Sequence, residues 1–188
     1  MSKVYLLQHY YDYGKESEHE EVKELGVYST RELAEEARDR YAALPGFRDF
    51  PLDCFFIAEP TLDKDAGWEE GFVSCWRRDG KAAPAAGPRM EGRGEGTLAR
   101  KVYYLEHRYR YGKDDEHVEG KRIGMYSTRE LAEEAADRYL PLPGFRDYPR
   151  ECFQISEFVV DRDMAWTEGF SVPSYHVNPL PESVAWPD

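Results

Sequence analysis

Two histidines and two glutamates are the residues of this sequence best suited to acid–base chemistry. His9 and Glu59 lie in the first half of the chain, and His107 and Glu157 lie 98 residues further on. A carboxylate beside an imidazole raises the imidazole pKa and suits the pair to general acid or base catalysis. The same residues are also explained by a buried His–Glu or His–Tyr hydrogen bond that satisfies the polar groups. We favour this structural interpretation, because a duplicated pair is more typical of a scaffold than of one active site.

Tyrosines recur at alternate positions around each histidine and extend the set of residues that could line a binding pocket. If the two halves of the chain form a cleft, the candidate pocket residues are His9, Tyr11, Tyr13, Glu59, His107, Tyr109, Tyr111 and Glu157.

Metal and cofactor sites have no sequence support. His9, His19, Asp63 and Asp65 are ligand types, but their spacing fits no metal motif. No phosphate-binding glycine loop, dinucleotide fingerprint or nucleophile elbow occurs, so we predict neither a metal nor a cofactor. Cys54 and Cys152 are equivalent, and the third cysteine is unmatched, which indicates free thiols rather than a disulfide framework.

An internal repeat organises all of these residues. Residues 3–72 align with residues 101–170 without a gap, and 44 of the 70 positions are identical. Such a repeat defines the folding unit. Units of this size are marginally stable alone, so we expect the copies to pack around a pseudo-two-fold axis. The predicted organisation is a first repeat over 1–76, a flexible linker over 77–100, a second repeat over 101–170 and an extended tail over 171–188.

Each copy is predicted to contain two strands, a helix and a third strand. The first strand covers 4–13 and keeps its odd positions in both copies while its even positions change, which is typical of one constrained face. The second strand covers about 22–28 and the third covers 54–62, or 152–160. A capping box of Ser29 and Glu32 begins the helix, and Pro45-Gly46 ends it. Five residues at helical spacing form one apolar stripe: Leu33, Ala34, Ala37, Tyr41 and Leu44. A turn and a short strand follow over 63–72 and 161–170. The fold class is therefore α+β, with two ββαβ-type units that each form a mainly antiparallel sheet, and with the helix on the face of Tyr5 and Leu7.

The positions that differ between the copies have two explanations. If they face solvent, they are free to diverge neutrally. Alternatively, the copies present different surfaces to one asymmetric partner, since exposed tyrosine and arginine are common interface anchors. The candidate interface residues are Tyr10, Asp12, Arg108, Arg110 and Arg122.

The charge of the chain restricts its partners. The net charge is −12; residues 1–76 contain 8 basic and 17 acidic groups, a net charge of −9, whereas residues 101–170 contain 11 and 15, a net charge of −4. This balance argues against nucleic acid and membrane surfaces, and it allows a basic protein partner. A missing apolar signal segment and the cysteine pattern predict a cytoplasmic protein.

The segments KVYLLQH, GVYSTRELAEEA, LPGFRD and WxEGF, the last at residues 68–72 and 166–170, resemble a family of small bacterial domains of unknown function. The resemblance covers both repeats and implies a bacterial cytosolic context, but it implies no activity. We expect a non-enzymatic, acidic protein-interaction module, such as an adaptor or an immunity-type protein. The alternative is a small-molecule binding protein or enzyme with its site between the repeats.

Overall fold

The computed structural model describes residues 3–13, 19–72, 101–111 and 117–171. The first repeat contains β1 (Tyr5–Tyr13), β2 (His19–Tyr28), α1 (Arg31–Ala42), β3 (Phe55–Ala58) and β4 (Lys64–Asp65). The second contains β5 (Lys101–Tyr111), β6 (His117–Tyr126), α2 (Arg129–Tyr139), β7 (Phe153–Val159) and β8 (Arg162–Asp163). The linker predicted over 77–100 and the tail beyond Ser171 lie outside the described residues.

The predicted α+β fold with two repeated units is confirmed. Two antiparallel four-stranded sheets have the strand orders β3-β1-β2-β8 and β4-β6-β5-β7. Each helix packs on the face of its sheet that carries the retained odd positions, as predicted. Ala34, Ala37, Tyr41 and Phe47 join Leu7 there in one buried cluster.

The final strand of each repeat belongs to the sheet of the other repeat. Gly26 and Val27 of β2 pair with Asp163 and Arg162 of β8, and Lys64 and Asp65 of β4 pair with Met125 and Gly124 of β6. We call residues 63–72 the first arm and residues 161–170 the second arm. The turn and short strand predicted for each arm are present, but each arm completes its neighbour's sheet. The two repeats are thereby interlocked in a symmetric exchange.

Helix boundaries differ slightly from the prediction. The N-cap is Thr30 rather than Ser29, because the Thr30 hydroxyl accepts a hydrogen bond from the Leu33 amide at 3.2 Å. The Ser29 amide instead donates to Asp161 of the second arm at 2.6 Å. The helix ends at Ala42, before Pro45-Gly46, and Leu33 in the predicted apolar stripe is 36% exposed. The third strand of the first repeat covers only Phe55–Ala58, because residues 52–54 form a 3-10 turn before it and Pro60, which has no amide hydrogen, lies two residues beyond its end.

The opposite faces of the two sheets share a second core. This core contains Val4, Leu6 and Val27 from the first repeat and Val102, Tyr104 and Met125 from the second, together with Ala58, Leu62 and Phe158. The even positions of β1 and β5 therefore do not all face solvent. The even positions nearest the start of β1 and β5 form the contact between the repeats.

Candidate functional site

Both candidate catalytic histidines are buried in boxes of aromatic rings. His9 is fully buried, and its ring lies 4.7 Å from the Phe55 ring, 5.0 Å from Phe47 and 5.3 Å from Phe50, centroid to centroid. Neither of its imidazole nitrogens has a hydrogen-bond partner among the described residues, and the same is true of the two ring nitrogens of His107. Burial, reinforced by Lys23 or Lys121, lowers the pKa of each histidine to about 4. The rings are therefore neutral at physiological pH and act as packing elements.

The candidate carboxylates lie away from the histidines. His107 pairs with Phe153 in the β5–β7 register, whereas Glu157 pairs with Tyr103. This separation of four residue positions corresponds to about 13 Å along a strand. Glu157 binds Lys101 at 2.7 Å, and Glu59 binds Arg31 at the surface. The structure thus brings no histidine and glutamate of the candidate set together. The buried hydrogen bond that we expected for each histidine is also missing among the described residues, and the ring packs against aromatic side chains instead.

The candidate tyrosines divide between the aromatic boxes and the strand ends. Tyr11 is buried and stacks on Phe170 of the second arm at 6.0 Å, as Tyr109 stacks on Phe72 of the first arm. Tyr111 is partly exposed beside Tyr109. Tyr13 lies at the end of β1, at the edge of the described chain. The buried tyrosines therefore contact the exchanged arms rather than an open pocket.

A buried lysine in each repeat holds the arm of the other repeat. Lys23 is 4% exposed, lies opposite His9 in the β1–β2 register, and places its ammonium 4.7 Å from the Trp166 ring and 4.6 Å from the Phe170 ring. Its charge is paired with Glu21 at 2.9 Å. Lys121 makes the same contacts with Trp68 and Phe72. These cation–π sites were not predicted from the sequence. The lysine and the tryptophan both recur in the second copy, and this joint retention could have indicated a contact between them.

The acidic residues of the arms, considered above as metal-ligand types, are hydrogen-bonded to the opposite repeat. Asp163 accepts from the Tyr28 hydroxyl at 2.6 Å and binds Arg40 at 2.8 Å. Asp65 binds Tyr126 and Arg138 in the same way. No group of three or more potential metal ligands occurs among the described residues.

Polar residues that differ between the copies meet at the contact between the repeats. The Arg122 guanidinium donates to the Gln8 side chain at 3.0 Å. The equivalent contact across the pseudo-two-fold axis brings Glu24 near Glu106. Burial raises the pKa of Glu106, Arg108 opposes this rise, and the Glu24 carboxylate adds to it. Arg122 and Arg108 of the candidate interface set therefore interact within the molecule, at least in part.

Beyond this contact, the first sheet exposes an apolar surface. Tyr10 and Val22 lie directly opposite each other in the register and are 41% and 38% exposed. Phe56, opposite Gln8, is diagonal to Tyr10 and is 59% exposed. We call these three residues the exposed trio. The equivalent positions of the second sheet are Arg108, Gly120 and Gln154.

The charged neighbours of this surface also differ between the repeats. Asp12 follows Tyr10 on the same face of β1 and lies opposite Glu20 in the register. In the second repeat, Arg110 lies opposite Val118, which is 42% exposed. The two faces are therefore chemically distinct, the first aromatic and acidic, the second arginine-rich.

A pocket of about 320 Å³ lies where the first arm crosses the second sheet. Residues of both repeats line it, among them Leu6, Lys64 and Ala66 from the first and Tyr104, Arg122 and Met125 from the second. None of the eight candidate pocket residues is in its lining. The alternative function requires a site between the repeats. This pocket lies between them, but its lining consists of residues outside the candidate set.

None of the helices within the described residues combines the length and apolar character needed to cross a membrane. Comparison of the chain with curated proteins and with solved structures gave no significant match. Comparison with protein families matched residues 2–71 and residues 100–169 to the same domain of unknown function, DUF7336. The two matches cover the two repeats and most of the chain. The protein therefore belongs to the DUF7336 family and contains two tandem copies of its domain.

Proposed function

We propose that this protein is a non-enzymatic protein-interaction module that binds a basic partner through the exposed trio of its first repeat. The observation that carries the proposal is the chemical difference between two faces of common origin. The first carries Tyr10, Val22 and Phe56 where the second carries arginine, glycine and glutamine. Scattered apolar residues on a surface are ordinary, but an adjacent group that includes two aromatic rings is typical of an interface.

Charge determines the kind of partner that this surface would bind. Asp12 and Glu24 flank the trio, and the first repeat with its following residues has a net charge of −9. An acidic rim around apolar anchors favours a partner that offers lysine or arginine around aliphatic side chains. An adaptor or an immunity-type protein that covers a basic surface would have this design.

The histidines support a non-enzymatic role. A general base must reach the proton that it abstracts, within hydrogen-bond distance or through one water. His9 and His107 are fully buried among aromatic rings, with a pKa of about 4, and the candidate carboxylates Glu59 and Glu157 lie away from them, bound to Arg31 and Lys101.

We also propose a bacterial cytoplasmic location. Neither Cys54 nor Cys152 forms a disulfide within the described part of the chain, and both are buried. Burial raises the pKa of the Cys54 thiol to about 11, and nearby Asp53 adds to the rise. A protonated, buried thiol is inert in a reducing compartment.

Site-specific photocrosslinking in the native host tests the proposed interface. A photoreactive phenylalanine at position 56 should crosslink to one basic protein, whereas the same residue at position 154 should not. The captured protein is then purified and its affinity is measured. Exchange of the trio for the second-repeat residues (Tyr10→Arg, Val22→Gly, Phe56→Gln) should weaken binding by about a hundredfold or more, the expected loss of aromatic anchors.

The chain offers a matched control for this experiment. Alanine at two positions of the equivalent face of the second repeat (Arg110→Ala, Gln154→Ala) changes that face without touching or copying the trio and should leave the affinity within a few-fold of the original. Equal crosslinking from positions 56 and 154, or a trio exchange that leaves affinity unchanged, would refute the proposal. Capture of a second copy of this chain by position 56 would replace a basic partner with self-association.

A further inference from the structure

Small side chains leave the pocket between the repeats open. Pro60 and Ala66 of the first repeat line it, and the equivalent positions of the second repeat are Phe158 and Met164. Phe158 is 2% exposed and Met164 packs against the shared core. These larger side chains occupy core space on their own side of the pseudo-two-fold axis.

The floor of the pocket also differs from the equivalent region across the axis. Tyr104 and Arg122 line the pocket, and their counterparts are Leu6 and Glu24. The pocket therefore carries an arginine at the position where the equivalent region across the axis carries a glutamate. Its volume lies at the lower end of the range of about 300–1,000 Å³ that small-molecule sites occupy.

Arg122 has hydrogen-bonding capacity that the described residues do not use. Its Nη2 donates to Gln8, but its Nε is buried without an acceptor. A buried donor without a partner has a free-energy cost, and an acceptor that entered the pocket would remove it. Lys64 adds a second positive charge at the exposed edge, whereas the Asp65 carboxylate is already bound by Tyr126 and Arg138.

We propose that this pocket binds a small apolar monocarboxylate, with the carboxylate on the Arg122 guanidinium and the hydrocarbon part against Leu6, Tyr104 and Met125. Arginine matches the planar carboxylate and bonds it with charge-assisted hydrogen bonds. The apolar walls exclude highly hydrated ligands such as phosphate. A single charge also fits the surroundings better than a dianion, since the protein has a net charge of −12 and Glu106 and Glu24 lie near Arg122.

The inference concerns a different surface from the proposed protein interface and can be tested without the protein partner. The probe is benzoate, added in the millimolar range to the full chain and followed by amide NMR shifts and calorimetry. Benzoate should shift the amides of Ala66, Arg122 and Gly124 in a saturable way. Benzyl alcohol, of similar shape without the charge, should bind about tenfold or more weakly, as loss of a charge-assisted bond requires.

The second repeat supplies the variant that closes the pocket. Ala66→Met installs the side chain found at position 164 and should abolish the saturable shifts while the rest of the spectrum stays native. Arg122→Gln should remove the preference for benzoate over benzyl alcohol but leave the pocket open. Arg110→Gln, a change outside the pocket lining, is the control and should bind benzoate normally.

Three results would overturn the proposal: no saturable shift at the pocket amides, equal affinity for benzoate and benzyl alcohol, or unchanged benzoate binding by Ala66→Met. Because none of these variants alters Tyr10, Val22 or Phe56, such a failure would leave the protein-interaction proposal standing.

Discussion

The strands β1 and β5 each have one face whose residues recur in both copies and one face on which residues differ between the copies. On the helix-facing side, Tyr5, Leu7, His9 and Tyr11 recur without change, and each copy packs in the same aromatic environment. On the other side the residues differ, and the structure assigns them two separate roles. Some form the contact between the repeats, and others form the surface beyond it. A position that changed between the copies is therefore not necessarily a solvent position.

Pseudo-symmetry explains why the contact between the repeats could diverge. In a symmetric dimer each side chain meets the same partner on both sides of the axis. In one chain the two contacts are independent, so Gln8 can meet Arg122 while Glu106 lies near Glu24. The helix-facing side has no such freedom, because each copy must fit an arm in which the same tryptophan and phenylalanine recur.

The largest predicted effect is the loss of stability when an aromatic ring is removed from one of the arms. Phe170→Ala removes a ring that packs against Phe47, Phe50 and Tyr11, and it should cost about 3 kcal/mol of unfolding free energy. Phe72→Ala should cost a similar amount, because the environments are equivalent. Chemical denaturation measures both values.

Hydrogen exchange then locates the damage. Phe170→Ala should reduce amide protection mainly in β2 and α1 of the first repeat, and Phe72→Ala should do so in β6 and α2 of the second. Protection lost mainly in the repeat that carries the substitution would contradict the exchange of arms.

A smaller effect per residue is expected from acid. The pKa of His9 and of His107 is about 4 in the folded protein against 6.5 in the unfolded chain. The unfolded chain therefore binds more protons between these values, and stability falls as the pH is lowered through that range. Between pH 7 and pH 5 each histidine should remove about 2 kcal/mol by linkage.

The double variant His9→Phe and His107→Phe isolates this contribution. Its unfolding free energy should lose about 4 kcal/mol less than the wild type between pH 7 and pH 5, since phenylalanine fits an aromatic box and does not titrate. Parallel pH profiles for the two proteins would show that the histidines are not buried in their neutral form.

The smallest effect tests the changed face at the contact between the repeats. Glu24→Gln removes a carboxylate near the partly buried Glu106 and should raise the unfolding free energy at pH 7 by about 0.5 kcal/mol. The pKa of Glu106, followed by NMR, should fall. The gain should disappear at acid pH, where both carboxylates are protonated, and a loss of stability at pH 7 would indicate that Glu24 makes a favourable contact instead.

Much of the fold could be predicted from the sequence. Alternation placed Tyr5, Leu7 and His9 on one face of β1, and the helix followed from its apolar spacing, because these are local properties with a fixed geometric period. The error at the helix cap is instructive: Ser29 is a good N-cap residue, but the second arm binds its amide through Asp161. The environment of the candidate pocket residues could not be predicted from the sequence. Residue type alone does not distinguish a polar group at a cleft from one enclosed by aromatic rings.

The sequence by itself determined that there are two α+β units, which side of each strand is constrained, and that no nucleotide or metal motif is present. Only the tertiary structure decided which sheet each arm completes. The arms are nearly the same in both copies, with Asp63 and Asp65 repeated as Asp161 and Asp163, so either arm offers either sheet the same hydrogen bonds and rings. Local interactions cannot distinguish the two arrangements, and the choice depends on the packing of the whole chain. That choice made the first part of the changing face a contact between the repeats and formed a pocket where the first arm crosses the second sheet.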